Sequence, residues 1–196
     1  MNKEKTAKLI RIITVPPIMV TVLLLILYFK KREIFSKESD MIIMLIFLGI
    51  FPVLAYPLQK IIPKFRREGR NGQRKLAFVT NVIGYTAAFV WSFANKENRG
   101  IMLICSTYFF SVCILAVCNM LHFKASGHAC SATGPIIFLL YFIGKKTIGP
   151  LVIVASAIIW SSLELKRHTV PQLVGGIAVC IIAFGISLVS GNIMRL

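Results

Sequence analysis

Seven nearly unbroken apolar stretches divide the chain, at 12–29, 41–62, 76–94, 101–121, 129–144, 147–163 and 170–194. Each is apolar on every side, so periodicity carries little information and length decides. A helix needs about 20 residues to cross roughly 30 Å of hydrocarbon. In lipid every backbone polar group must be bonded within the protein, and runs of this length meet that demand as helices. The pattern predicts an all-α, polytopic transmembrane helical bundle of six to seven spans, with residues 1–196 forming a single integral membrane domain. The fifth and sixth runs are short, and are expected to tilt little or to begin below the interface. Pro16-Pro17 should kink or delay the first helix, and Pro52 and Pro57 should bend or break the second.

The polar connections are as informative as the runs. Seven crossings would put the N-terminus, the stretch 63–75, the island 122–128 and the island 164–169 on one face. The connections at 30–40, 95–100 and 145–146, and the C-terminus, would fall on the other. The stretch Lys64-Phe65-Arg66-Arg67-Glu68-Gly69-Arg70-Asn71-Gly72-Gln73-Arg74-Lys75 is the most basic and reads as a loop. It is either a topology signal or part of an anion site, with at least one of Arg67, Arg70 and Arg74 reaching that site.

Composition narrows the class. The chain is 57% hydrophobic, with a mean hydropathy of +0.78, which is too apolar for an ordinary soluble domain. The net charge of +16 does not imply nucleic acid, because the basic residues flank apolar runs, where they set topology and meet anionic lipid. The five cysteines form no Cys-x-x-Cys pair and sit in or beside apolar runs, so they read as small packing residues. No cleavable signal peptide is evident, since Lys30-Lys31-Arg32 follows the first run without a small-residue cleavage pattern.

The candidate chemistry lies in two islands. Lys124-Ala125-Ser126-Gly127-His128 precedes the fifth run, and Glu164-Leu165-Lys166-Arg167-His168-Thr169-Val170-Pro171-Gln172 leads into the seventh. A helix start presents unpaired N–H groups and a positive dipole end, which suits phosphate. Gln172 also stands where it could complete a capping box with Thr169. The third histidine, His122, reads as interfacial.

Ser126-Gly127-His128 resembles the second signature of the type 2 phosphatidic acid phosphatase superfamily. The segment from Leu165 to Gln172 resembles the end of its third. The likeness is closer to a prokaryotic branch with Lys-x-Ser-x-His and His-Thr-x-x-Gln motifs, here Lys124 to His128 and His168 to Gln172. The resemblance implies an integral membrane hydrolase acting on a lipid phosphate or a prenyl or lipid pyrophosphate. His168 would attack phosphorus and form a phosphohistidine. His128 would protonate the leaving oxygen and then activate water. Lys124, Ser126, Gly127, Arg67, Arg74 and Lys166 would hold the phosphate oxygens, and Gln172 would orient His168. No metal or other cofactor is implied.

Three departures stand out. Ser162 occupies the place of the family's third-signature arginine, and Lys166, four residues on, would share its face if the helix continued. Gln172 stands where an acid usually orients the nucleophile. Lys60/Arg67 and Arg67/Arg74 keep the spacing of the first signature, but no proline follows either. The loss of the arginine motivates an alternative: a catalytically weak or inactive member that binds lipid or a partner. A multi-pass protein of the cell membrane is expected. The positive-inside rule points the site face to the cytoplasm, whereas the resembled family commonly places it outside.

Overall fold

The computed structural model describes residues 2–193; the end of the seventh run, Met194, lies outside the described residues. The chain is an all-α bundle. In order, the helices are α1 (Lys3–Ile13), α2 (Pro16–Lys30), α3 (Glu38–Ile61), α4 (Pro63–Arg67), α5 (Gly69–Ala94), α6 (Arg99–Met120), α7 (Gly127–Ile143), α8 (Ile148–Glu164) and α9 (Val170–Ile193). Five helical stretches, Glu38–Ile61, Gly69–Ala94, Arg99–Met120, Lys145–Glu164 and Val170–Gly191, are long and apolar enough to cross a membrane. A sixth is the bent pair α1–α2, and α7 is a shorter apolar helix.

Proline sets the irregularities. Val15 is extended (φ −60°, ψ 144°), as a residue before proline must tend to be, and α2 starts on Pro16. The first run is therefore split, and α1 stands at 53° to α2. In α3, Pro52 has no N–H to give the carbonyl one turn back. The helix widens into a π turn over Leu45–Ile50 just before it. Ile62 is extended before Pro63, which opens α4.

The basic stretch is not a loop. Its first part is α4, and its second is the opening of α5, reversed at Gly69 with φ 56°. A Cβ on Gly72 would lie 2.2 Å from the Phe65 carbonyl oxygen, so only glycine lets α4 fold so tightly onto α5. The consequence is directional. Arg70 and Arg74 share one face of α5, while Arg67 belongs to the other helix.

The core lies where α2, the π turn of α3, α5, α6, α7 and α9 meet. It is built on Leu23, Leu24, Leu27, Met44, Leu48, Ile101, Ile104 and Phe138, all fully buried. Several hydroxyls inside the apolar helices bond their own preceding turns, as with Thr107 to Leu103 O and Ser187 to Ala183 O. That satisfies them without water. At the end of the bundle away from α4, Asn98 caps α6 and donates to the Glu33 carbonyl at 2.9 Å. The 30–40 and 95–100 connections thus meet on one face.

On the opposite face the two islands are bonded to each other. The Ser126 N–H donates to the Gln172 carbonyl at 2.8 Å. A Cβ on Gly176 would sit 2.3 Å from the Ser126 carbonyl oxygen, so α9 approaches the start of α7 through a bare backbone. Substituting Gly176→Ala should cost about 1–3 kcal/mol, as overpacking against an unyielding backbone does. It should lower the thermal midpoint in detergent. Gly185→Ala, where a Cβ meets nothing within 4 Å, should leave the midpoint unchanged.

Candidate functional site

Ser126 is the N-cap of α7, and its hydroxyl accepts from the Ala129 N–H at 3.2 Å. Its carbonyl takes the Cys130 N–H at 2.9 Å. Its side chain is fully buried, so it builds the helix start and does not face the adjoining space. The N–H groups of Gly127 and His128 belong to the first helical turn, which has no intrahelical acceptor for them. A Cβ on Gly127 would meet no protein atom, and the glycine lines open space.

That space is a cavity of about 1280 Å³. Lys124, Gly127 and His128 line it from the first island, and Leu165, Arg167 and His168 from the second. Arg70 and Arg74 line it from α5, and Lys8 and Arg11 from α1. All four polar stretches that parity put on one face therefore converge on one cavity. The imidazoles of His128 and His168 are within electrostatic reach of each other. Deeper in, the wall includes the hydroxyls of Tyr85, Tyr108 and Ser111, each buried with no protein partner.

His168 is oriented from below. Its Nδ1 lies 3.3 Å from the Gln172 Oε1, which also accepts the Thr169 N–H at 3.3 Å. An amide oxygen only accepts, so Nδ1 carries the proton and Nε2 keeps its lone pair. One glutamine thus serves both the helix cap and the tautomer. The Nε2 of His128 is buried and has no protein partner.

The electrostatics are one-sided. Arg11, Arg70, Arg74 and Arg167 lie close enough for the charge of each of the other three to act on Arg11. Among the described residues the one acid in the wall, Glu68, is taken up by Lys75 at 2.8 Å. Partial burial pushes His168 below the ordinary imidazole range. The Gln172 bond opposes that shift, while the charges of Arg11, Arg74 and Arg70 reinforce it. Neutral His168, the form with a free Nε2, is therefore favoured.

Besides Ser126, two more expected residues stand elsewhere. Arg67 and Lys166 are exposed and outside the cavity wall. The helix does not continue past Ser162 as far as Lys166: α8 ends at Glu164, and Lys166 turns left-handed at φ 47°. It shares no helical face with Ser162, which is fully buried with an unpartnered hydroxyl. Arg11 and Arg167 are the residues that motif reading missed. Arg167 sat inside the second island beside His168 and was given no role there. Arg11 is basic and placed on the site face by parity, and that was the available signal. Among the described residues no cluster of three or more His, Cys, Asp or Glu is arranged to hold a metal ion.

No protein-family model, curated protein or solved structure matches the chain.

With three histidines in the chain, imidazole NMR can follow His168 directly. Its midpoint should fall below the usual value of about 6.5. Arg74→Gln removes an opposing charge and should raise it. Gln172→Ala removes the bond that favours the charged ring and should lower it further. Shifts of the same sign in both variants would contradict the geometry.

Proposed function

We propose that the chain is a multi-pass phosphatase of the cell membrane that hydrolyses a lipid phosphate or a prenyl or lipid pyrophosphate through a phosphohistidine. The observation that carries this reading is the convergence of His128 and His168 on one cavity walled by four guanidiniums. An unpaired cluster of that charge calls for an anion, and a phosphoryl group matches guanidinium geometry.

In this mechanism the Nε2 of His168 attacks phosphorus, and the bond from phosphorus to the leaving oxygen breaks. His128 gives that oxygen a proton, with the phosphoryl charge between the rings supporting the protonated imidazole. Neutral His128 then takes a proton from water as the water attacks the phosphohistidine, releasing phosphate and restoring both rings. Arg74, Arg70, Lys124 and the N–H groups at the start of α7 hold the non-bridging oxygens. The apolar part of the lipid enters along the cavity wall formed by Ile12, Val15, Pro16 and Val79.

Ser162 favours a second reading. The helix that carries it contributes no cation at that position, and a scaffold that binds a lipid phosphate without turnover would keep every other feature. Phosphate release from phosphatidate and from a prenyl diphosphate, with detergent-solubilised protein, separates the two. Hydrolysis should fall to background in His168→Ala and in His128→Ala, with binding retained. Equal release by wild type and His168→Ala would exclude the mechanism. Binding without release by wild type would establish the scaffold.

A further inference from the structure

The N-terminal helix α1 differs from the rest of the bundle. It carries Lys3, Lys5, Lys8 and Arg11 along with Leu9, Ile12 and Ile13, and these three apolar side chains are more than half exposed. Such a helix lies in the interface with its apolar side toward lipid. It is anchored to the bundle by packing on α8, with Ala7 fully buried. The 53° bend at Thr14–Val15 turns it out of line with α2 and holds it there.

Arg11 is in its last turn, where the negative end of the helix dipole favours a cation. The guanidinium is partly buried. It lines the same cavity as His128 and His168, and its Nη1 is buried with no hydrogen-bond partner. A guanidinium cannot relieve that position by losing its proton. A buried donor left unpaired costs about 1–3 kcal/mol, more when charged. Among the described residues Arg11 forms no ion pair. The other charged groups facing it are Arg70, Arg74, Arg167 and the imidazole of His128 or His168, all cationic or neutral.

From this we infer that Arg11 is a ligand of the phosphoryl group, and that α1 supplies the guanidinium missing from α8 at Ser162. The inference rests on the phosphoryl reading of the cavity, and it reassigns the N-terminal helix from a topology signal to a wall of the site. It accounts for three things together: the orphaned Nη1, the packing of α1 on the helix that bears Ser162, and the full burial of Ser162. It also couples the site to the surface, since a helix lying among lipid headgroups carries one of the phosphate ligands.

The test uses full-length protein in detergent, with orthovanadate as phosphoryl probe. Arg11→Ala, Arg11→Lys, His168→Ala and exposed Arg66→Ala are compared by calorimetric binding. Arg11→Ala should weaken vanadate roughly 10- to 100-fold, the range for a lost charged hydrogen bond. Arg11→Lys keeps the charge but not the fork, and should recover only part. Arg66→Ala should bind as wild type. Removing the nearby Arg11 charge should also raise the midpoint of His168. Wild-type vanadate affinity in Arg11→Ala overturns the inference, even if His168→Ala is inactive and the phosphatase reading stands. Weakened vanadate in Arg11→Ala beside unchanged hydrolysis in His168→Ala keeps Arg11 as an anion ligand and removes the phosphohistidine mechanism. If Arg11→Ala does not fold, Arg11→Lys decides: full wild-type affinity there overturns the bidentate contact.

Discussion

One backbone hydrogen bond joins the two halves of the site. The Ser126 N–H reaches the Gln172 carbonyl at 2.8 Å, across more than forty residues of chain. It fixes the start of α7 against the first turn of α9, and the bare backbone at Gly176 lets the helices come that close. His128 is two residues past one partner and His168 four before the other. Their convergence therefore follows from backbone contacts, which do not depend on the rotamer of any long side chain. Membrane bundles favour this device, because apolar tails give no drive for helices to associate and close approach through small residues does.

The remainder of the site is electrostatic and comes from elsewhere in the chain. Turning the basic stretch into the opening of α5 aims Arg70 and Arg74 at one space and sends Arg67 to another. The proline-driven bend before α2 lays α1 across α8 and brings Arg11 to the same cavity. Four guanidiniums gather there from three places, Arg11 from α1, Arg70 and Arg74 from α5, and Arg167 from the connection between α8 and α9. Among the described residues none of them is paired with a carboxylate, which leaves the cavity electropositive. Partial burial, reinforced by the same field, favours uncharged His168, and Gln172 fixes which nitrogen of the ring is bare.

Much of this was legible in the sequence. Run length and parity were enough for the bundle and for the face that gathers the polar stretches, because lipid leaves the backbone few options. His128 and His168 were legible from their place at helix starts. What the residue string could not carry was direction. Whether Lys166 continued the helix of Ser162 depended on a single left-handed residue. Whether 63–75 was a loop depended on Gly72 packing against Phe65. Arg11 was invisible to motif spacing because its neighbours in the site are remote along the chain, and a bend angle alone brings them together. Ser126 was expected to touch the ligand, but the capping position that makes a helix start useful buries its side chain behind the cavity wall.

The most direct test of the central claim is to trap the covalent intermediate. Full-length protein is incubated briefly with a lipid phosphate carrying radiolabelled phosphorus, quenched in alkali and digested. The account predicts acid-labile, alkali-stable label on the peptide containing His168, and none in His168→Ala. Label that persists in His168→Ala, or turnover by wild type with no label at His168, would contradict it.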